Sequence, residues 1–249
     1  MTYLVLAVRF LTIVPVPGEE ATAPGALGRA AWWFPVVGLA LGSCLVAADR
    51  LLSAVFPSLL EAILVVAVWK ILTGGLHLDG LADAIDGIAG RDPERRIVIM
   101  RDSRLGTFGA IAIALCLLVS VGAVDAVPAP RHPAVLLLAP AIGRLAPVLI
   151  GPLFPAATPG QGIGADFLEG LSPWATPVQV GGLWIVAAAL LGSWSGLLLS
   201  LALAPVLLWA VFLASRLGGL TGDALGASVE IGEMATLTAA VALLHLQLI

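Results

Sequence analysis

Charge is scarce in this sequence. Of 249 residues only 11% are Asp, Glu, Lys or Arg, against about a quarter in a soluble globular domain. So little charge excludes an ordinary water-exposed surface. The apolar excess, 60% of the chain at a mean hydropathy of +1.07, needs lipid as its solvent. Cysteine is nearly missing as well. Cys44 and Cys116 stand apart in apolar runs, which excludes a disulfide framework and a thiolate metal site. The net charge of -4 speaks against a nucleic-acid partner. The N-terminal segment is apolar but lacks an early basic region and a small-x-small cleavage site, so it is expected to be retained. It reads as a short helix, interfacial or re-entrant, ended by Pro15 and Pro17.

What is present is a series of apolar runs. A spanning helix needs about 20 mostly apolar residues. The candidates are Phe34–Phe56, Leu59–Leu76, Thr107–Val127, Ala134–Phe154, Val178–Leu191, Trp194–Ser215 and Met234–Ile249. The expected fold is therefore all-α, a polytopic transmembrane bundle of about six to seven spans in one integral membrane domain over residues 1–249. Arg91, Arg95, Arg96, Arg101 and Arg104 crowd one loop, which the positive-inside tendency assigns to the cytoplasm. Counting spans alternately then brings the polar segments His77–Gly106, Pro155–Pro177 and Arg216–Glu233 to that same side. Chemistry gathered on one face suggests an enzyme working at the cytoplasmic surface of a cell inner membrane.

Three blocks carry candidate chemistry. In Gly74–Gly90, Asp79, Asp83 and Asp86 follow one another at i, i+4 and i+7, within about 60° of a helix face. Like charges so placed repel. A divalent cation relieves them, and Mg²⁺ on one or two carboxylates and substrate phosphates is the cofactor this pattern suggests. Gly80 and Gly87 beside the acids allow a ligand or a neighbouring helix to come close. His77 precedes the run and is a candidate general base, although an ideal helix points it away from the carboxylates. In the second block, Met100–Gly109, Arg101 and Arg104 suit phosphate oxygens, and Asp102 and Ser103 add a carboxylate and a hydroxyl. In the third, Gly218–Glu233, the residues Asp223, Gly226, Glu230 and Glu233 share a face within about 80°. They suit a second metal site or a substrate hydroxyl. Arg144 lies inside an apolar run, where a charge is costly and implies function or an ion pair; a substrate phosphate or one of these acids is its expected partner. Arg50 reads as a local pair with Asp49, and His132 and His245 as incidental.

Together the blocks resemble the cobalamin synthase family, the adenosylcobinamide-GDP ribazoletransferases. The family's Thr-Gly-Gly-x-His-x-Asp-Gly-Leu-Ala-Asp-x-x-Asp-Gly pattern reads unbroken from Thr73 to Gly87. Its Arg-Asp-Ser-Arg-x-Gly segment matches Arg101–Gly106, and its late Thr-Gly-Asp-x-Leu-Gly-Ala segment matches Thr221–Ala227 with Glu230 following. Val14-Pro15-Val16-Pro17 and Phe34–Gly38 match two N-terminal features. One departure is visible: no Arg precedes Gly162-Ile163-Gly164, which puts phosphate gripping by that loop in doubt. The resemblance implies that the 5′-hydroxyl of α-ribazole, or a hydroxyl of its 5′-phosphate, couples to adenosylcobinamide-GDP with release of GMP. It implies Mg²⁺ held by Asp79, Asp83 and Asp86, and a catalytic set of Asp83, Asp86, Arg104 and His77. The substrate contacts would be Arg101, Asp102, Ser103, Arg144, Asp223 and Glu230. Other cobalamin-assembly enzymes, or a second copy of the chain, are the conceivable protein partners.

Two rivals are weighed against this. A CDP-alcohol phosphatidyltransferase shares the local form Asp83-Ala-Ile-Asp86-Gly87, but Ile-Ala-Gly-Arg follows and the further downstream aspartates are missing. A corrinoid transporter would place its charges at the midplane of paired repeats, and here they collect at one end.

Overall fold

The computed structural model describes residues 2–246. Twelve α-helices follow in order: α1 (Thr2–Leu11), α2 (Ala26–Ala30), α3 (Phe34–Ser53), α4 (Ser58–Leu72), α5 (Leu76–Gly87), α6 (Pro93–Met100), α7 (Thr107–Ala126), α8 (His132–Ile150), α9 (Gly162–Gly170), α10 (Ala175–Leu191), α11 (Ser195–Leu217) and α12 (Gly222–His245). The only β-type pairing among the described residues is an isolated parallel bridge between Ala156 and Leu220. The all-α reading holds. Five helical stretches are long and apolar enough to cross a bilayer, and six if α4 and α5 form one broken span. One of the five, Ala175–Leu217, is two helices folded back at Gly192, whose φ is 64°. A Cβ on Gly196 would lie 3.9 Å from the Trp184 ring nitrogen, whereas twelve residues along a straight helix are about 18 Å apart.

α8 is the axis of the bundle, and its residues from Leu138 to Val148 are all buried. α3 lies close against it because Gly38 and Gly42 carry no side chain. A Cβ at Gly38 would come within 2.7 Å of the Pro140 carbonyl, and one at Gly42 within 2.7 Å of the Leu136 carbonyl. Small residues four apart are the usual means of close helix approach in lipid. The outer faces of the spans carry exposed Leu51, Leu118, Ile185 and Leu208, as lipid-facing surfaces must.

Sequence boundaries shift at both ends of the chain, and the expected Leu59–Leu76 span stops at Leu72. α1 ends at Leu11, four residues before Pro15; after it the Ile13 N–H donates to the Leu72 carbonyl. α1 is too short to cross, and it inserts Ala7 and Leu11 into the core. The last helix begins at Gly222 rather than Met234, because Thr221 caps it by accepting from the Ala224 N–H at 3.1 Å. Glu230 and Glu233 therefore belong to the span and not to a polar loop, and the expected end of that span at Ile249 lies outside the described residues.

Candidate active site

Thr73-Gly74-Gly75 turns the chain sharply. Gly74 and Gly75 take φ of 62° and 69°, conformations open to glycine, and α5 leaves α4 at 88°. At 12 residues α5 is about 18 Å long. Turned through 88°, α5 does not continue α4 across the bilayer. α5 packs on the start of α12 where Gly80 meets Gly226; a Cβ on Gly226 would sit 3.6 Å from the Gly80 Cα. The close neighbour foreseen for Gly80 is thus α12.

This crossing forms one wall of a cavity of about 360 Å³. Asp79, His77 and Gly80 of α5, Asp223 and Gly226 of α12, and Arg101 line it. The loop before α9 contributes Thr158 and Gln161, and the first turn of α9 contributes Gly162-Ile163-Gly164. Gly164 fits directly against Gly222, where a Cβ would meet the amide nitrogen at 2.5 Å, so α9 and α12 start side by side. Both helix N-termini border the cavity, a setting that favours anions. Phe10, Phe34 and Phe167 line another side, with ring centroids 6.1 and 5.8 Å apart in succession.

The three aspartates of α5 share a face but not an environment. Asp79 is exposed at the cavity, Asp83 is half-buried and Asp86 is buried. Burial, and then the charges of Asp79, Asp223 and Asp86, push the Asp83 carboxyl up to about 6. Asp86 is engaged elsewhere. Its two oxygens accept the N–H groups of Gly106 and Gly109, each at 2.8 Å, at the start of α7. Neither glycine can carry a Cβ, which would fall 2.4 and 2.3 Å from those oxygens.

The remaining candidates separate. Arg101 faces the cavity, and its charge is felt by Asp223. Asp102, Ser103 and Arg104 form a turn outside it. There Arg104 Nη2 donates to Asp102 Oδ2 at 2.7 Å, which draws the Asp102 carboxyl down to about 2. Arg144 and Glu230 do not line the cavity. They belong to a buried network in which Lys70 bonds Glu230 at 2.6 Å and Glu233 at 2.8 Å, and Arg144 bonds the other oxygen of Glu233. The partner of Arg144 is thus one of the foreseen acids. Two positive and two negative charges balance, so the group tolerates burial. His77 Nδ1, like Nε and Nη2 of Arg144, is buried and has no partner among the described residues.

Sequence reasoning missed Thr158, Gln161 and the three phenylalanines. Only the retained Gly162-Ile163-Gly164 hinted at the loop.

Comparison with known proteins decides the lineage. The family model described as cobalamin-5-phosphate synthase matches residues 3–241. The chain belongs to that family. Among its relatives is the adenosylcobinamide-GDP ribazoletransferase of Syntrophobacter fumaroxidans, 44% identical over 94% of this chain and 96% of the relative. The enzyme of the same name from Pseudomonas paraeruginosa is 40% identical over 95% and 96%, and that of Acetivibrio thermocellus 35% over 92% and 93%. No solved structure matches the chain. Membership of the cobalamin-5-phosphate synthase family makes the chain a transferase of cobalamin synthesis, which sets aside the phosphatidyltransferase and transporter readings.

Proposed function

We propose that the chain joins α-ribazole or its 5′-phosphate to adenosylcobinamide-GDP, releasing GMP and forming adenosylcobalamin or its 5′-phosphate. The observation that carries this reading is the cavity itself: the carboxylates of Asp79 and Asp223, Arg101 and two helix N-termini converge on a space of nucleotide size. At about 360 Å³ the space suits the nucleotide diphosphate, while the corrin ring stays at the mouth near the membrane surface.

The acids fit a divalent cation, because the charges of Asp79 and Asp223 both act on Asp83 and none of the three forms an ion pair among the described residues. They are the side chains that would hold Mg²⁺, which when bound neutralises the diphosphate and the departing GMP. Arg101 orients the phosphates from the facing side. A ribose hydroxyl oxygen bonds to the cobinamide-side phosphorus, the bond from that phosphorus to GMP breaks, and the hydroxyl proton passes to a base. His77, which lines the cavity, suits that base. The family description speaks of a 5-phosphate product. A position carrying phosphate cannot attack, so a ring hydroxyl replaces the 5′-hydroxyl as the nucleophile.

The cavity end carries Arg91, Arg95, Arg96, Arg101 and Arg104, and the other end Arg50 and Arg131, so the cavity faces the cytoplasm of a cell inner membrane. The experiment is GMP release by purified protein given Mg²⁺, adenosylcobinamide-GDP and α-ribazole. Asp79→Asn and Asp83→Asn should each lose most turnover, and full turnover in both would overturn the assignment.

A further inference from the structure

At the opposite end of the bundle a second polar group is buried. Asp49 near the end of α3, Glu61 in the first turn of α4 and His132 at the start of α8 are 6, 4 and 7% exposed. Phe34 and Pro147 line the cavity from the other ends of α3 and α8, each fifteen residues away, or about 22 Å along a helix. The group has no part in the transfer chemistry. It also corrects two expectations: Asp49 pairs with His132 rather than Arg50, and His132 is not incidental.

The hydrogen bonds fix how the imidazole stands. His132 Nε2 is 2.7 Å from the Val127 carbonyl oxygen. A carbonyl only accepts, so Nε2 carries a proton. Nδ1 then faces Asp49 Oδ1 at 2.6 Å and Glu61 Oε1 at 3.9 Å. A second proton on the ring satisfies Asp49 but not Glu61, whose Oε1 is buried with no hydrogen-bond partner. Asp125, the other acid nearby, is bonded to Ser58. Arg50 and Arg131 form no ion pair with the group among the described residues. One imidazole nitrogen and two carboxylates thus offer ligand atoms within 4.8 Å of one another, the only such trio among the described residues.

We propose that Asp49, Glu61 and His132 bind a divalent transition metal ion of the zinc class through Nδ1 and one oxygen of each carboxylate. The mixed donor set favours zinc over magnesium or calcium, which prefer oxygen alone. An imidazole whose other nitrogen donates to a backbone carbonyl is the usual orientation of a metal-bound histidine. The ion ties together α3, α4 and the loop into α8 at the membrane face away from the cavity. It also gives Glu61 Oε1 the partner it lacks.

The test uses full-length protein in detergent, stripped with a chelator, dialysed with zinc and then against metal-free buffer. Zinc is counted by mass spectrometry and the unfolding temperature is recorded. One retained zinc per chain is expected in the wild type and in Asp83→Asn, with a rise in unfolding temperature. Glu61→Gln and His132→Asn should retain at least tenfold less. Absence of stoichiometric zinc in the wild type overturns the proposal. So does equal retention by Glu61→Gln and His132→Asn. Loss of zinc in Asp83→Asn with retention in Glu61→Gln would assign the ion to the acids of α5, and the proposal would fall.

Discussion

Asp86→Asn separates two roles that the repeated aspartates of α5 would otherwise share. In the wild type both carboxylate oxygens accept backbone N–H groups of Gly106 and Gly109 at 2.8 Å. An asparagine side chain keeps one oxygen and turns an NH₂ toward the second N–H, so one bond is replaced by a clash of donors. A hydrogen bond to a charged acceptor contributes about 1.5–3 kcal/mol. The lost charge at the start of α7 removes a further 0.3–1 kcal/mol or so of helix-dipole stabilisation. The buried position gives water little chance to substitute. We expect a loss of about 2–4 kcal/mol, which at roughly 2–4 °C per kcal/mol for a chain of this size lowers the unfolding temperature by about 4–16 °C. Asp83→Asn should behave oppositely in metal-free buffer: it relieves repulsion from Asp79 and Asp223 and should not lower stability. The chain's seven tryptophans supply the signal for thermal unfolding in detergent. Equal unfolding temperatures for Asp86→Asn, Asp83→Asn and wild type would refute the assignment of Asp86 to holding α7.

Two further predictions rest on other parts of the fold. Gly28→Ala puts a Cβ 2.1 Å from the Phe167 carbonyl, forces α9 away from the cavity, and should cost about 1–3 kcal/mol with a raised KM in GMP release, whereas Gly181→Ala, with nothing within 4 Å, should be neutral or slightly stabilising. A membrane-impermeant thiol reagent applied to intact cells should modify a cysteine replacing Arg131 and spare one replacing Arg91, and the reverse pattern would invert the orientation.

Apolar runs and glycine-framed acids are local signals, which is why the spans and the cavity residues Asp79, His77, Arg101 and Asp223 were legible in the sequence. Helical spacing showed that Asp223, Glu230 and Glu233 share a face, but not that the face descends from a cavity into the bundle core. Depth depends on what packs opposite, here Lys70 and Arg144 from distant parts of the chain. The role of Asp86 was hidden for a similar reason, since its partners lie twenty and more residues on, at the head of another helix. The loop before α9 looked disarmed for want of arginine, yet it borders the cavity with backbone and small polar groups. Such groups leave little trace in composition. His132 gave no sign because Asp49 and Glu61 come near it only when three helix ends meet.

The ion pairs inside the bundle also bear on how the chain is assembled. α8 carries Arg144, and an arginine at the centre of an inserting helix costs about 2.5–3.5 kcal/mol. Its partner Glu233 is synthesised 89 residues later, and Glu230 follows Lys70 by 160. A nascent chain that has emerged only as far as α11 therefore holds two uncompensated cations at the membrane. Arrival of α12 neutralises both and at the same stroke supplies Asp223 and Gly226 to the cavity. Completion of the membrane fold and completion of the cavity then fall together, so a chain truncated before Gly222 is expected to lack the α12 wall of the cavity and to leave Lys70 and Arg144 without their acids.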